Sequence, residues 1–297
     1  MKIIVTGSLG HISKPLTKEL VQKGYEVTVI SSNPERQKEI EALGATAAIG
    51  TVADVNFLTG SFTGADAVYT MVPPGNYFNT DLDVIASCKA VGNNYAEAIR
   101  MSGVKRVVHL SSVGAHLEEG SGLILGHHAV EGIFNQLSDV AITFMRPVGF
   151  YYNLYSFLPM IKKEGLMAAA YGADDMLVWV SPIDIAAAVA EELEKPAVAR
   201  KVLYVASDEL TGNETARILG EATGMPGLKW NLISGEQMQQ GLETAGMNPD
   251  IAAGLVEMFV SQHNGILTED YYQHRPALGK VKLLDFAKEF AAVFNQK

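Results

Sequence analysis

The stretch Met1–Lys14, MKIIVTGSLGHISK, decides how the rest of the chain is read. Ile3-Ile4-Val5 is a short apolar run of the kind that forms a strand buried on both faces. The run breaks at Gly7, passes Gly10 and leads into a helical pattern from Ile12. Strand, glycine turn and helix, in that order, make the phosphate-binding opening of a dinucleotide fold. A glycine lets the backbone turn tightly and approach a pyrophosphate, and the helix behind it aims unpaired N–H groups at the same point. The spacing is Gly7-x-x-Gly10-x-x-Ser13, with a serine where close helix–strand packing needs a small residue. Gly7, Ser8, Leu9, Gly10, His11 and Ile12 are therefore the expected seat of a diphosphate.

Outward from this opening, the pattern repeats. Strands are predicted at Lys2–Thr6, Glu26–Ile30, Thr46–Ile49, Ala67–Val72, Arg106–Leu110 and Ala141–Met145. Between them, helices are predicted at Ile12–Lys23, Pro34–Leu43, Asp54–Thr59, Thr80–Ser102 and Leu125–Leu137. Alternation sustained over about 145 residues argues for a parallel sheet covered on both faces. Right-handed crossovers make this an α/β, doubly wound Rossmann sheet, with its ligand at the carboxyl ends of the strands. The loops Gly7–Ile12, Ser31–Arg36, Met71–Gly75, Ser111–Gly114 and Arg146–Phe150 should then meet at one crevice. Beyond Phe150 the pattern loosens, and an aromatic, helical stretch opens at Tyr151–Lys163. The expected organisation is a Rossmann domain over 1–150 and a smaller C-terminal α/β substrate region over 151–297. That region should pack over the crevice and lend a strand or two to the main sheet.

Bulk properties exclude several classes. A chain of 297 residues with 48% apolar content is too hydrophobic for disorder. No apolar run reaches a membrane span, and no cleavable leader is visible at the start. The single cysteine, Cys88, excludes an internal disulfide and fits a reducing, cytoplasmic setting. A net charge of −10 argues against direct nucleic-acid binding. No third ligand stands at a convincing spacing for a metal, so none is expected.

The loop after the second strand bears on cofactor choice. A carboxylate there binds the ribose 2′-hydroxyl of NAD, whereas a cationic or hydroxyl-rich loop accommodates a 2′-phosphate. This chain has Ser31-Ser32-Asn33-Pro34-Glu35-Arg36. No carboxylate ends the strand, and arginine can fork onto a phosphate. Ser31, Ser32, Asn33 and Arg36 are read as the adenosine side of the site, with NADP(H) preferred over NAD(H).

Four stretches resemble the NmrA-like family, an atypical branch of the short-chain dehydrogenase/reductases. They are Val5–Ile12, Ser32–Arg36, Leu110–Ala115 and Met145-Arg146-Pro147-x-x-Phe150-x-x-Asn153. The resemblance extends to Ser181–Ala186 and covers nearly the whole chain. It is strongest to the bacterial NADPH-dependent quinone reductases of that family. It implies hydride transfer from NADPH to a quinone or similar conjugated carbonyl. The family also contains proteins that sense NADP(H) without turnover and act through a protein partner.

The superfamily's serine, at the end of the fifth strand, works with a Tyr-x-x-x-Lys pair on the next helix. Here Ser111-Ser112 stand in the serine region, but Leu123–Glu131 reads LILGHHAVE and has neither tyrosine nor lysine. Alcohol–ketone interconversion, and the epimerase chemistry that wants the same tyrosine, are disfavoured by that gap. A quinone is less demanding, because it is electron-poor and its reduced oxygens can take protons from water or a histidine. Ser111 and His127 are the catalytic candidates, since a neutral histidine can exchange a proton near pH 7. Met71, Val72, Pro73, Ser111, Arg146 and Pro147 are expected against the cofactor. Phe150, Tyr151, Asn153 and Tyr155, within a cluster that includes Tyr152 and Phe157, are expected to line a site for a planar small molecule. Tyr271–Pro276 is expected either to cover that site or to pack between the two regions.

Overall fold

The computed structural model describes residues 1–296. Along the chain it forms β1 (Lys2–Val5), α1 (Ser13–Gln22), β2 (Glu26–Ser31), α2 (Gln37–Ala42), β3 (Thr46–Ile49) and α3 (Val55–Phe62). Then come β4 (Ala67–Met71), α4 (Val84–Ser102), β5 (Arg106–Leu110), α5 (Leu125–Asn135) and β6 (Ala141–Pro147). The second half holds β7 (Gly149–Phe150), α6 (Leu158–Glu164), β8 (Met167–Ala169), β9 (Met176–Val180), α7 (Pro182–Glu194) and β10 (Arg200–Val205). It closes with β11 (Asp208–Thr211), α8 (Gly212–Thr223), β12 (Trp230–Leu232), α9 (Gly235–Thr244), α10 (Pro249–His263), α11 (Glu269–Gln273) and α12 (Leu283–Phe294).

Seven strands form one parallel sheet in the order β10-β6-β5-β4-β1-β2-β3. The order reverses on either side of β1, so the crevice of a doubly wound sheet opens above the turn that follows β1. Ile3, Ile4 and Val5 are fully buried, as a central strand with helices on both faces requires. One face packs on α1 and α7, the other on α3, α4 and α5. Asp54 and Asp83 accept from the backbone of Phe57 and Ala86 and start α3 and α4. Gly103, at φ +74°, ends α4 in the left-handed conformation.

Pro182–Val205 returns to this sheet. β10 pairs in parallel with β6, and α7 packs beside α1. The rest of the second half builds its own aromatic core, which includes Tyr151, Phe157, Trp179, Trp230, Phe286 and Phe290. Two expected elements change in the structure. The fourth helix begins at Val84 rather than Thr80, because side chains of Asn76 and Asn79 hold tight turns at Phe78 and Asp81 before the Asp83 cap. Tyr151–Lys163 splits into a three-residue-per-turn segment, Tyr151–Phe157, followed by α6. Among the described residues, no helix is long and apolar enough to cross a membrane.

Candidate functional site

The turn after β1 is built for close approach. Gly7 has φ +86°, and Ser8 also sits in the left-handed region at +55°. A Cβ on Gly7 would lie 2.7 Å from Ser13 Oγ and 3.1 Å from Met71 Cγ. Ser13 earns its small size: it is buried, and its hydroxyl donates to the Thr6 carbonyl at 2.8 Å. The start of α1 carries no side-chain cap. Within it, Lys14 N donates to Gly10 O at 3.0 Å and Leu16 N to Ile12 O at 3.1 Å, and Pro15 has no N–H, so the donors left over belong to the turn into the helix, where Gly10 and His11 are exposed.

At the end of β2, Ser8 Oγ donates to Ser31 Oγ at 2.9 Å, and Ser8 N donates to Ile30 O at 3.0 Å. These bonds tie the first turn to the end of β2. Ser32, Asn33 and Arg36 are exposed beside it. Arg36 Nη1 meets Glu39 Oε2 at 2.6 Å, while Lys14 Nζ meets Glu39 Oε1 at 2.8 Å. Lys14 and then Arg36 hold the Glu39 carboxyl below its ordinary range. Two cations thus share one exposed carboxylate. Lys14 was missed in the sequence because helical spacing says nothing about its reach to the β2–α2 segment.

Ser111 and Arg146 meet at one buried carboxylate, and His127 lies nearby on α5. Ser111 Oγ donates to Glu131 Oε1 at 2.5 Å in a buried contact. Arg146, only 7% exposed, forks onto Glu131 through Nε at 3.0 Å and Nη2 at 2.7 Å. Its Nη1 reaches Tyr204 Oη at 3.2 Å and Asp270 Oδ2 at 3.3 Å, and Tyr204 Oη itself donates to Asp270. Burial opposes the Arg146 charge, but Glu131 outweighs it and holds the guanidinium protonated. The guanidinium is consumed by protein carboxylates, which leaves no open fork for a cofactor. Burial and then Asp270 raise the pKa of the Tyr204 phenol and keep it protonated. His127 Nδ1 is sheltered without a partner, and burial pushes its ionisation down despite Glu131. Its neighbour His109, pushed down to about 3 by burial, bonds Thr70 on β4. The fully buried His109 ring is held neutral inside the sheet–helix layer, whereas His127 is half-buried.

The aromatic stretch after β6 divides by its own periodicity. Three residues per turn put Tyr151, Leu154 and Phe157 on one buried side. Tyr151, expected in the substrate site, instead donates to Asp208 Oδ2 at 2.7 Å and stacks on Phe286. Tyr155, expected there too, stacks on Phe290 of α12. Asn153 is exposed. Phe150 keeps a place at the crevice. Its ring stacks on Tyr152 at 5.0 Å, and Tyr152 stacks on His11 of the glycine turn at 4.6 Å. Burial and then Tyr77 push the Tyr152 phenol up to about 12. This ribbon of three rings bridges the β6 end and the β1 turn.

Further loops close around it. Met71 N donates to Thr6 Oγ1 at 3.0 Å, and Tyr95 Oη donates to Met71 O at 2.9 Å. Val72 is half-buried and Pro73 exposed. Val113 N donates to Pro147 O at 2.9 Å, joining the ends of β5 and β6. Tyr271 is fully buried, bonds Glu209 and packs on Tyr204, while Tyr272–Arg275 are exposed. Among the described residues, no group of three or more His, Cys, Asp or Glu is placed to hold a metal ion.

The NmrA-like family pattern matches residues 1–268. The chain belongs to the NmrA-like family. This NmrA-like chain is 25% identical to an NAD(P)H azoreductase of Xenophilus azovorans, over 99% of each protein. Its fold matches an NADPH-dependent quinone oxidoreductase of Escherichia coli, solved with NADPH, with a TM-score of 0.81 and 20% identity. That match covers 99% of this chain and 100% of the other. A triphenylmethane reductase of Citrobacter, solved with NADP(H), matches at a TM-score of 0.76 and 19% identity, over 97% and 99% of the two chains.

Proposed function

We propose that this NmrA-like protein is an NADP(H)-dependent reductase that passes hydride to a planar, conjugated acceptor, with quinones as the leading class. One observation carries the reading. The crevice joins an uncapped helix start and a glycine turn to aromatic walls, while Ser111 and Arg146 are engaged with Glu131. Such a site suits an acceptor that needs placement more than concerted acid–base help. The family match and the reductases among its relatives support it.

The residues present fit a dinucleotide. Adding even a Cβ at Gly7 would fill the cradle, and the exposed backbone of Gly10 and His11 at the start of α1 suits a diphosphate. Gly7–Ile12 would hold the diphosphate, Ser8 and Ser31 the adenosine ribose, and Lys14 with Arg36 a 2′-phosphate. The reduced nicotinamide supplies two electrons as hydride. Phe150 and Tyr152 orient the acceptor ring and exclude water from its face. Protons that complete the reduced acceptor come from solvent.

Mixed with a panel of quinones, the protein should consume NADPH, and simple aliphatic ketones should leave it untouched. NADPH that binds but keeps its absorbance with every quinone overturns the reductase reading. A calorimetric titration tests the cofactor. Replacing both Lys14 and Arg36 by alanine should weaken NADPH at least about tenfold, or about 1.4 kcal/mol, and leave NADH within about twofold. Equal losses for both cofactors would remove the 2′-phosphate assignment.

A further inference from the structure

We infer that Asn248 is a positioning residue for the acceptor pocket, because its side chain pins the loop between β4 and α4 over the crevice. The inference rests on the reductase reading above. The loop, Val72–Asp83, leaves the crevice at Met71, whose side chain packs against Gly7. It carries Tyr77 to the neighbourhood of Tyr152 and ends at the Asp83 cap of α4. Between these roots it is mostly exposed, with Phe78 at 56%.

Asn248 contacts the middle of the loop. It is 4% exposed and lies just before α10. Its Oδ1 accepts from Asp250 N at 2.9 Å and Ile251 N at 3.4 Å, which caps the helix. Its Nδ2 donates to Thr80 O at 2.9 Å and Asn79 O at 3.2 Å, and its backbone N donates to Tyr77 O at 3.1 Å. A cap needs only the acceptor oxygen. The amide nitrogen does separate work, and every bond it makes goes to the loop.

The anchor is firm. A Cβ on Gly122 would lie 1.9 Å from Gly254 O, so α10 is seated tightly on the turn before α5. Beside the pin lies a cavity of about 310 Å³, lined by Thr80, Asp83, Leu123, Asn248 and Ile251. Once the two Nδ2 bonds are gone, Asn79 and Thr80 are released beside this cavity, and only the backbone N–H of residue 248 still ties Tyr77 near the Phe150–Tyr152–His11 rings.

Asn248→Ser and Asn248→Asp each keep an oxygen for the cap and remove the amide donors. Both should retain the wild-type circular dichroism spectrum, and chymotrypsin should cut faster at Tyr77 or Phe78. The quinone KM should rise about tenfold with kcat within about twofold, the split expected when binding alone is lost. Faster cutting with an unchanged KM leaves a structural tie only and overturns the inference, as does no change in either. If the wild type turns over no quinone, the reductase reading fails by itself. Asn248 is then judged by NADPH release in stopped flow: faster release in both variants supports the pin over the crevice, and unchanged release overturns it.

Discussion

Arg146→Ala is expected to lower the unfolding free energy by about 3–5 kcal/mol, the range for removing one partner of a buried ion pair. The magnitude follows from what is left behind. Glu131 loses both arms of a bidentate contact, and Asp270 loses the cation nearest its shared phenol. Glu131 then sits 6% exposed with only Ser111 as a donor. Arg146→Lys keeps the charge but cannot span Glu131, Tyr204 and Asp270 together, so it should recover only part of the loss. Adding Glu131→Gln to Arg146→Ala should restore some stability, because the unpaired carboxylate is removed. Urea unfolding of the three variants measures this. A loss below about 1 kcal/mol for Arg146→Ala would mean that the cluster is hydrated and behaves as a surface pair.

The second large effect is on binding. Gly7→Ala should weaken NADPH by at least about a hundredfold, or roughly 2.7 kcal/mol. The new methyl meets Ser13 Oγ and Met71 at once, and the alanine must hold φ near +86°. Ser13 cannot retreat without giving up the Thr6 carbonyl, whereas the Met71 side chain gives way only by changing rotamer. The turn should therefore open, and the N–H groups at the start of α1 should lose their common aim. Strain of this type also costs about 1–3 kcal/mol of stability. Calorimetry and unfolding together separate the two effects. Wild-type affinity in a folded Gly7→Ala protein would place the diphosphate elsewhere.

Much of the fold was legible in the chain because the central strands are apolar runs with glycine or proline at their ends. Thr46–Ile49 and Arg106–Leu110 stand as read. Short strands such as Gly149–Phe150 and Met167–Ala169 were not legible, since two or three residues carry no period and pair only because the second core brings them together. In the site, the glycine turn announced its own position. The direction of Ser111 and Arg146 did not, because it is set by Glu131, which is remote in sequence and reads as an ordinary helix carboxylate. Tyr151 and Tyr152 show the same limit. As neighbours they look equivalent, yet a tight helical turn sends one to the core and the other to the crevice.

The carboxylate shared by Lys14 and Arg36 has a consequence for conditions of use. Under the proposed assignment a 2′-phosphate would compete with Glu39 for this pair, so cofactor choice would be an exchange of one anion for another. Such an exchange is screened by mobile ions, with a Debye length near 10 Å at about 0.1 M ionic strength. The ratio of NADPH to NADH affinity should therefore shrink as salt is added, while the diphosphate contribution, common to both cofactors, cancels from that ratio. The protein's preference between the two reductant pools is then set by its ionic surroundings as well as by its sequence.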